Sequence, residues 1–185
     1  MITQPGAYTA QFGRWLTQTL RTSMQQPGYA LFYDHGDPQV ERNVGAIKAV
    51  YGNELSRRTQ LAHVDLLVAR PNRDIVLLVE IEETGVSPKK IVGDLVTLQM
   101  CNACYVSMAG VNQRYVITTD TKLVIAGVMA DDGSKYEQAK LIRARLGQFS
   151  APQDSIAFQH VSYVFQASIQ QVIEQLKQLV PGLIE

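Results

Sequence analysis

Three acidic residues stand in two strand-like segments that a short turn separates. Asp65 lies in the first segment, and Glu80 and Glu82 end the second. Both segments are rich in Val, Ile and Leu, and Pro71 and Asn72 stand between them. Apolar runs flanking a Pro-Asn cluster are typical of a β-hairpin. The sequence therefore predicts strands over 62–69 and 75–82 that pair antiparallel.

The register of this hairpin decides where the acids meet. If the turn is centred between Asn72 and Arg73, Asp65 faces Glu80, with Cβ atoms roughly 4.5–5.5 Å apart. Two carboxylates at that distance repel each other unless a proton or a cation lies between them. Glu82 projects on the same face as Glu80 because side chains alternate along a strand. Three converging acids predict a hard-cation site, and the alternative is that some of them lie at the solvent end of a strand.

The composition is that of an ordinary globular protein. The 185 residues are 46% hydrophobic and 18% charged, with a formal net charge of zero. Such a chain predicts one α/β domain over 1–185. The neutral balance argues against a strongly basic, non-specific nucleic-acid binder, although a local basic stripe is compatible with it. Without an apolar run of membrane-spanning length or a signal-peptide core, the expected location is cytoplasmic, with no membrane association.

A helix before the hairpin is predicted to bring a fourth acid to the cluster. Val40, Val44, Ile47 and Tyr51 recur at helical spacing over 38–51. Glu41 lies at the edge of that apolar face, so we expect it to point sideways toward the sheet.

A second helix is predicted directly after the hairpin. Ser87 suits the N-cap and Pro88 the first helical position. Lys89 and Lys90 then fall in the first turn, where cations oppose the helix dipole. That misfit indicates a negative partner, either the acid cluster or a phosphate, and a solvated basic turn is the alternative.

The remaining pattern alternates strands and helices. Cys101 and Cys104 form a CxxC pair, but no second ligand pair accompanies them, so we interpret both as buried thiols. The other predicted elements are an N-terminal helix over 7–24, a strand over 29–33, strands over 103–108, 114–118, 122–129 and 155–164, a helix over 133–146, and a terminal amphipathic helix from Ile169.

The predicted elements over 38–129 follow one another as a helix with Glu, a strand with Asp, a strand with Glu-x-Glu, a helix and a strand. This order resembles the PD-(D/E)XK nuclease superfamily. The resemblance implies a restriction-endonuclease-like core, a central mixed β-sheet flanked by helices, within the α/β domain. It also implies that Asp65 and Glu80 hold a divalent cation, and that Glu41 is the matching helical ligand.

The chain departs from the family pattern at two positions. Val64 rather than Pro precedes Asp65, and Glu82 occupies the place of the motif lysine. Some type II restriction endonucleases carry Glu there and remain active. Lys89 or Lys90 could supply the missing positive charge from the next helix.

The function that the resemblance implies is Mg²⁺- or Mn²⁺-dependent hydrolysis of phosphodiester bonds, with DNA as the expected substrate. The oligomeric state is left open, and a homodimer is one possibility. The alternatives are a non-catalytic DNA-binding or protein-interaction module on the same fold, or a metal-dependent hydrolase of another substrate. The residues expected to act are Asp65, Glu80 and Glu41 as metal ligands, and Glu82, Lys89 and Lys90 as further catalytic groups.

Overall fold

The computed structural model describes residues 5–23, 28–129, 137–138, 141, 158 and 160–184. Within these ranges the chain is α/β, with two sheets and three helices. The helices are α1 (Ala7–Ser23), α2 (Pro88–Gln99) and α3 (Ile169–Ile184). The strands are β1 (Ala30–Tyr33), β2 (Ala46–Val50), β3 (Gln60–Val64), β4 (Leu66–Ala69), β5 (Ile75–Glu82), β6 (Ala103–Met108), β7 (Val111–Val116), β8 (Lys122–Val128) and β9 (His160–Gln166).

The main sheet is mixed, with the strand order β1-β4-β5-β8-β9. The first two pairings, β1 with β4 and β4 with β5, are antiparallel. The other two, β5 with β8 and β8 with β9, are parallel. A parallel pair requires a crossover connection, and between β5 and β8 the chain passes through α2 and the β6–β7 hairpin. The predicted mixed sheet is therefore present.

The second sheet is antiparallel throughout, in the order β3-β2-β6-β7. It packs against one face of the main sheet, where Leu67 and Leu78 meet Ile47 and Val106 in a shared core that also receives α2. The opposite face of the main sheet is covered by α1 and α3. β5 is thus covered on both sides, and its first five residues are buried.

The predicted helix over 38–51 is wrong. Residues 38–43 form turns, and β2 follows. Of the supposed apolar face, Val40 is 79% and Tyr51 63% exposed. Burial alternates instead, with Ile47 and Ala49 inside and Lys48 outside, which is the two-residue period of a strand. Long-range pairing with β3 and β6 overrode a helical spacing that arose by coincidence.

Most of the other predicted helices and strands that lie within the described residues are confirmed. The N-terminal and C-terminal helices, α2 and the strands over 29–33, 103–108, 114–118 and 122–129 are confirmed to within a few residues. Two predictions fall largely outside the described residues. They are nearly all of the helix over 133–146 and most of the first half of the strand over 155–164. Cys101 and Cys104 are free and buried, as expected. Among the helices described, none has the length and apolarity needed to cross a membrane.

Candidate functional site

The hairpin between β4 and β5 has the predicted register. Leu66 pairs with Val79 and Val68 with Leu77. At the tip the Arg73 amide donates to the Arg70 carbonyl at 2.9 Å, and Arg73 adopts a φ of 72°. A residue in this left-handed region allows a bulge beside the turn, and the register does shift between Val68 and Ala69.

Asp65 marks the place where a single predicted strand breaks into two. The strand expected over 62–69 is divided, because β3 belongs to the second sheet and β4 to the main sheet. At the junction the Asp65 carbonyl accepts from the Asp34 amide at 2.9 Å. On the other side its carboxylate Oδ2 accepts from the Ile81 amide at 2.6 Å. The Asp65 side chain is therefore fixed against β5, beside Glu80.

Glu80 is the residue of the site whose charge is least compensated. Within the described residues its Oε2 is buried and has no hydrogen-bond partner. Burial, followed by the negative charges of Asp65 and Asp94, raises the pKa of Glu80 well above its usual range, and Lys90 and the Asp65 amide oppose the shift. An unpaired buried carboxylate is costly, so Glu80 favours binding a proton or a cation.

Asp65 experiences the same crowding. Burial raises the pKa of Asp65 to about 6; the Ile81 amide and His35 lower it, and the charges of Asp34 and Glu83 add to the rise. The His35 Nε2 lies 3.9 Å from Asp65 Oδ1, close enough for an ion pair when the ring is protonated. Two adjacent acids that both favour protonation are typical of a site that holds a cation.

Glu82 is neutralised by a lysine from the helix that follows. Lys90 forms an ion pair with Glu82 Oε2, and Thr84 Oγ1 donates to Glu82 Oε1 at 2.6 Å. α2 begins as predicted, since Ser87 Oγ accepts from the Lys90 amide at 3.3 Å. Lys90 therefore reaches the site from α2, although it is exposed like its neighbour Lys89.

Glu41 does not stand on a helix and is engaged elsewhere. Its carboxylate accepts from Arg14 Nη1 at 3.0 Å and from the Asp37 amide at 2.9 Å, and it also accepts from the Tyr33 hydroxyl. These bonds tie the turn after β1 to α1. The expectation that Glu41 faces the acid pair rested on a helix that does not form, and its oxygens serve a structural network instead.

Two residues of the site were missed by the sequence reasoning. Asp94 lies on α2 one turn after Lys90, and burial raises its pKa while Lys90 lowers it. An acid four residues after a lysine on the same helix was the available signal. His35 reaches Asp65 from the turn after β1 with a left-handed φ of 64°, for which the sequence offered only the turn-rich Asp34–Pro38 segment.

The arrangement is a carboxylate pair with a lysine beside it rather than a closed cage. In the part of the chain that the structure describes, no three His, Cys, Asp or Glu side chains are grouped closely enough to hold one metal ion. Asp65 and Glu80 nevertheless fit a cation, because Glu80 Oε2 is an unpartnered buried oxygen next to a second acid. Mg²⁺ in particular commonly uses only one or two carboxylates, together with water and substrate oxygens.

Comparison of the chain with protein-family models, with curated proteins and with solved structures returned no match. Function is therefore inferred from the geometry of the site.

Proposed function

We propose that the chain is a divalent-cation-dependent nuclease that hydrolyses phosphodiester bonds in DNA. The observation that carries the proposal is the proximity of Asp65 to Glu80, whose buried Oε2 lacks a partner within the described residues. The Lys90 side chain, 47% exposed, stands beside this pair. Carboxylates for a cation together with an adjacent lysine for a phosphate are the groups that phosphodiester hydrolysis requires.

Each residue has a role that follows from its position. Asp65 and Glu80 would hold Mg²⁺ or Mn²⁺, which when bound polarises the phosphate and lowers the pKa of a water molecule. The Ile81 amide orients Asp65. Lys90 would neutralise a phosphate oxygen, and its ion pair with Glu82 would hold its ammonium group in place.

The fold supports the proposal at a coarse level. The chain supplies a mixed sheet covered by helices on one face and by α2 with the second sheet on the other. The order of Asp65, Glu-x-Glu strand, helix and parallel strand follows the resemblance, but the expected helix with Glu41 is missing and the β6–β7 hairpin stands before β8. A restriction-endonuclease-like core is therefore part of this proposal.

The primary test is cleavage of a supercoiled plasmid and of labelled oligonucleotides with Mg²⁺ or Mn²⁺. Asp65→Asn and Glu80→Gln keep the shape of each side chain and remove its charge. We expect each to reduce cleavage by at least about a hundredfold, since cation binding and charge stabilisation are lost together. Glu174→Gln is the matched control, because Glu174 is an exposed acid on α3 paired with Lys177.

Two outcomes would contradict the proposal. Wild-type protein that binds the cation yet cuts no nucleic acid would favour a hydrolase of another substrate. Protein that binds no cation and cuts nothing would favour the non-catalytic module. Isothermal titration with Mn²⁺, run in parallel with cleavage, separates the two.

A charge exchange tests the role of Lys90. Glu82→Lys alone places two lysines together where the structure has an ion pair. Glu82→Lys combined with Lys90→Glu restores the pair and puts the lysine on β5. We expect the single variant to be less stable than the wild type, and the double variant to recover both stability and cleavage. Undiminished cleavage by folded Lys90→Gln would remove Lys90 from the mechanism.

A further inference from the structure

The outward face of the second sheet presents a row of side chains that the site does not use. Ile47, Ala49, Cys104 and Val106 of this sheet point into the shared core. The alternate positions point away from it, and the pleat places them together on the opposite face. On that face His63 is exposed, and Lys48, Tyr105 and Arg114 are half-buried.

The strand register sets four of these side chains in one line. His63 pairs with Lys48, Lys48 with Tyr105, and Tyr105 with Arg114. Neighbouring strands lie about 4.8 Å apart, so the four positions span roughly 15 Å across the sheet. We call this line the basic row. In this row Lys48 and Arg114 flank the aromatic ring of Tyr105. Cations beside an aromatic ring are a combination that binds single-stranded nucleic acid.

The charge of this face is one-sided. None of the four strands contains Asp or Glu. The nearest neighbours of the row, Ser107 and Asn112, are polar and bond each other at 2.5 Å. Within the described residues Arg114 Nε is buried without an acceptor. The chain's zero net charge therefore conceals a locally basic surface.

The aromatic member of the row is held in place. The Tyr105 hydroxyl donates to the Asn53 carbonyl at 2.6 Å, which ties the ring to the loop after β2. That loop also carries the exposed residues Arg57 and Arg58 against the single acid Glu54. A ring whose hydroxyl is already bonded offers its π-face rather than its polar end to a ligand.

One end of the basic row lies two residues along the chain from the candidate site. β3 carries His63, and the chain reaches Asp65 two residues later. A strand advances about 3.3 Å per residue, so the row begins close to the acid pair and leads away from it across β2, β6 and β7.

We propose that the basic row binds a single-stranded segment of nucleic acid, with Lys48 and Arg114 contacting phosphates and Tyr105 stacking on a base. That this segment continues toward Asp65 and Glu80 rests on the proposed nuclease function, but the binding itself does not.

The test is binding of a fluorescein-labelled single-stranded oligonucleotide, followed by anisotropy in EDTA at several salt concentrations with the full-length protein. Because EDTA removes the cation, cleavage does not enter the readout. Lys48→Gln and Arg114→Gln should each weaken binding and lower the salt slope by about 0.7, the value for one phosphate contact on a single strand. Tyr105→Leu should weaken binding at least about fivefold without changing the slope, because stacking is uncharged.

Arg21→Gln is the matched control, because Arg21 is exposed on α1 at the far side of the main sheet. It should bind like the wild type. Circular dichroism verifies folding, and Lys48→Gln, at a half-exposed position, is the informative variant if Arg114→Gln unfolds.

Three results would overturn the proposal: no binding by the wild type, wild-type affinity in folded Lys48→Gln and Tyr105→Leu, or tighter binding to a duplex of the same sequence. Failure of the nuclease proposal gives a different result. In that case Asp65→Asn and Glu80→Gln should bind the oligonucleotide and cut DNA to the same extent as the wild type.

Discussion

At the scale of single residues, Asp65 and Glu80 are neighbours in different environments. Asp65 Oδ2 accepts a hydrogen bond from the Ile81 amide, whereas Glu80 Oε2 has no partner within the described residues. Removing the Asp65 carboxylate relieves repulsion but leaves the Ile81 amide without its acceptor. Glu80 has in addition an oxygen without a partner, so its buried charge is the larger cost.

We expect Asp65→Ala to lower the free energy of unfolding by about 1–2 kcal/mol in EDTA, because the Ile81 amide loses its acceptor. Asp65→Asn keeps an acceptor oxygen, and we expect it to be neutral or stabilising. Glu80→Gln should also be neutral or stabilising, since it removes one of two crowded charges. Urea denaturation at pH 7 measures all three, and equal losses for Asp65→Ala and Asp65→Asn would contradict the role of this bond.

The raised pKa values predict how stability depends on pH without metal. An acid whose folded pKa is raised contributes stability that is fully present below its unfolded pKa and is lost as pH rises through the folded value. For Asp65 that window runs from about 4 to about 6, and Glu80 extends it upward. We expect the metal-free protein to lose up to about 3 kcal/mol between pH 4 and pH 7 through Asp65 alone.

Melting temperatures in EDTA across this pH range, compared between the wild type and Asp65→Asn, isolate the Asp65 contribution. Added Mn²⁺ should stabilise the wild type more at pH 7 than at pH 5, because protons compete with the cation. A pH profile that is identical in both proteins would contradict the assignment.

At the scale of elements, the site depends on three local devices. The turn at Arg70–Asp74 fixes the β4–β5 register. The break at Asp65 directs β3 into the second sheet while the carboxylate stays at the main one. The Ser87 cap starts α2 where Lys90 can reach Glu82.

Ser87→Ala tests the third device. We expect a loss of about 1 kcal/mol, the usual effect of removing an N-cap hydroxyl. Ser87→Asp should retain or raise stability, because it keeps the acceptor and adds a negative charge near the helix N-terminus and its lysines. Both are measured by urea denaturation. If the helix start positions Lys90, cleavage should fall in Ser87→Ala and persist in Ser87→Asp.

At the scale of the whole molecule, one acid connects the N-terminal helix to the strand of the site. The Glu83 carboxylate accepts from the Thr9 amide at 2.8 Å, from Thr9 Oγ1 at 3.1 Å and from the Gly6 amide at 3.2 Å. It thus satisfies amides at the start of α1 and complements the helix dipole. With Arg14 bonding to Glu41, α1 is fastened at two points beside the turn that carries His35.

We expect Glu83→Ala to reduce the free energy of unfolding by about 2–3 kcal/mol, since several charge-assisted bonds are lost at once. Glu83→Gln should lose less, because it keeps an acceptor. Hydrogen exchange of the α1 amides, together with thermal melting, checks this, and unchanged exchange in Glu83→Ala would show that α1 is held by its apolar face alone.

The local pattern determined much of this protein. Alternating or continuous apolar runs and turn residues specified the β4–β5 hairpin and its register, the start of α2, and both terminal helices, because these features depend on neighbours in sequence. Leu66 pairs with Val79 in that register, which leaves Asp65, directly before β4, near Glu80.

Only the tertiary structure decided the rest. β2 replaced a predicted helix because its partners, β3 and β6, lie elsewhere in the chain, and pairing with them outweighs a weak local propensity. Contacts between residues far apart in sequence also turned Glu41 toward Arg14 and brought Asp94 and His35 to the acids. Strand pairing likewise aligned Lys48, Tyr105 and Arg114 across the second sheet. Burial fixed the charge state, since the pKa values of Asp65 and Glu80 depend on how much water and which charges surround them in the folded chain.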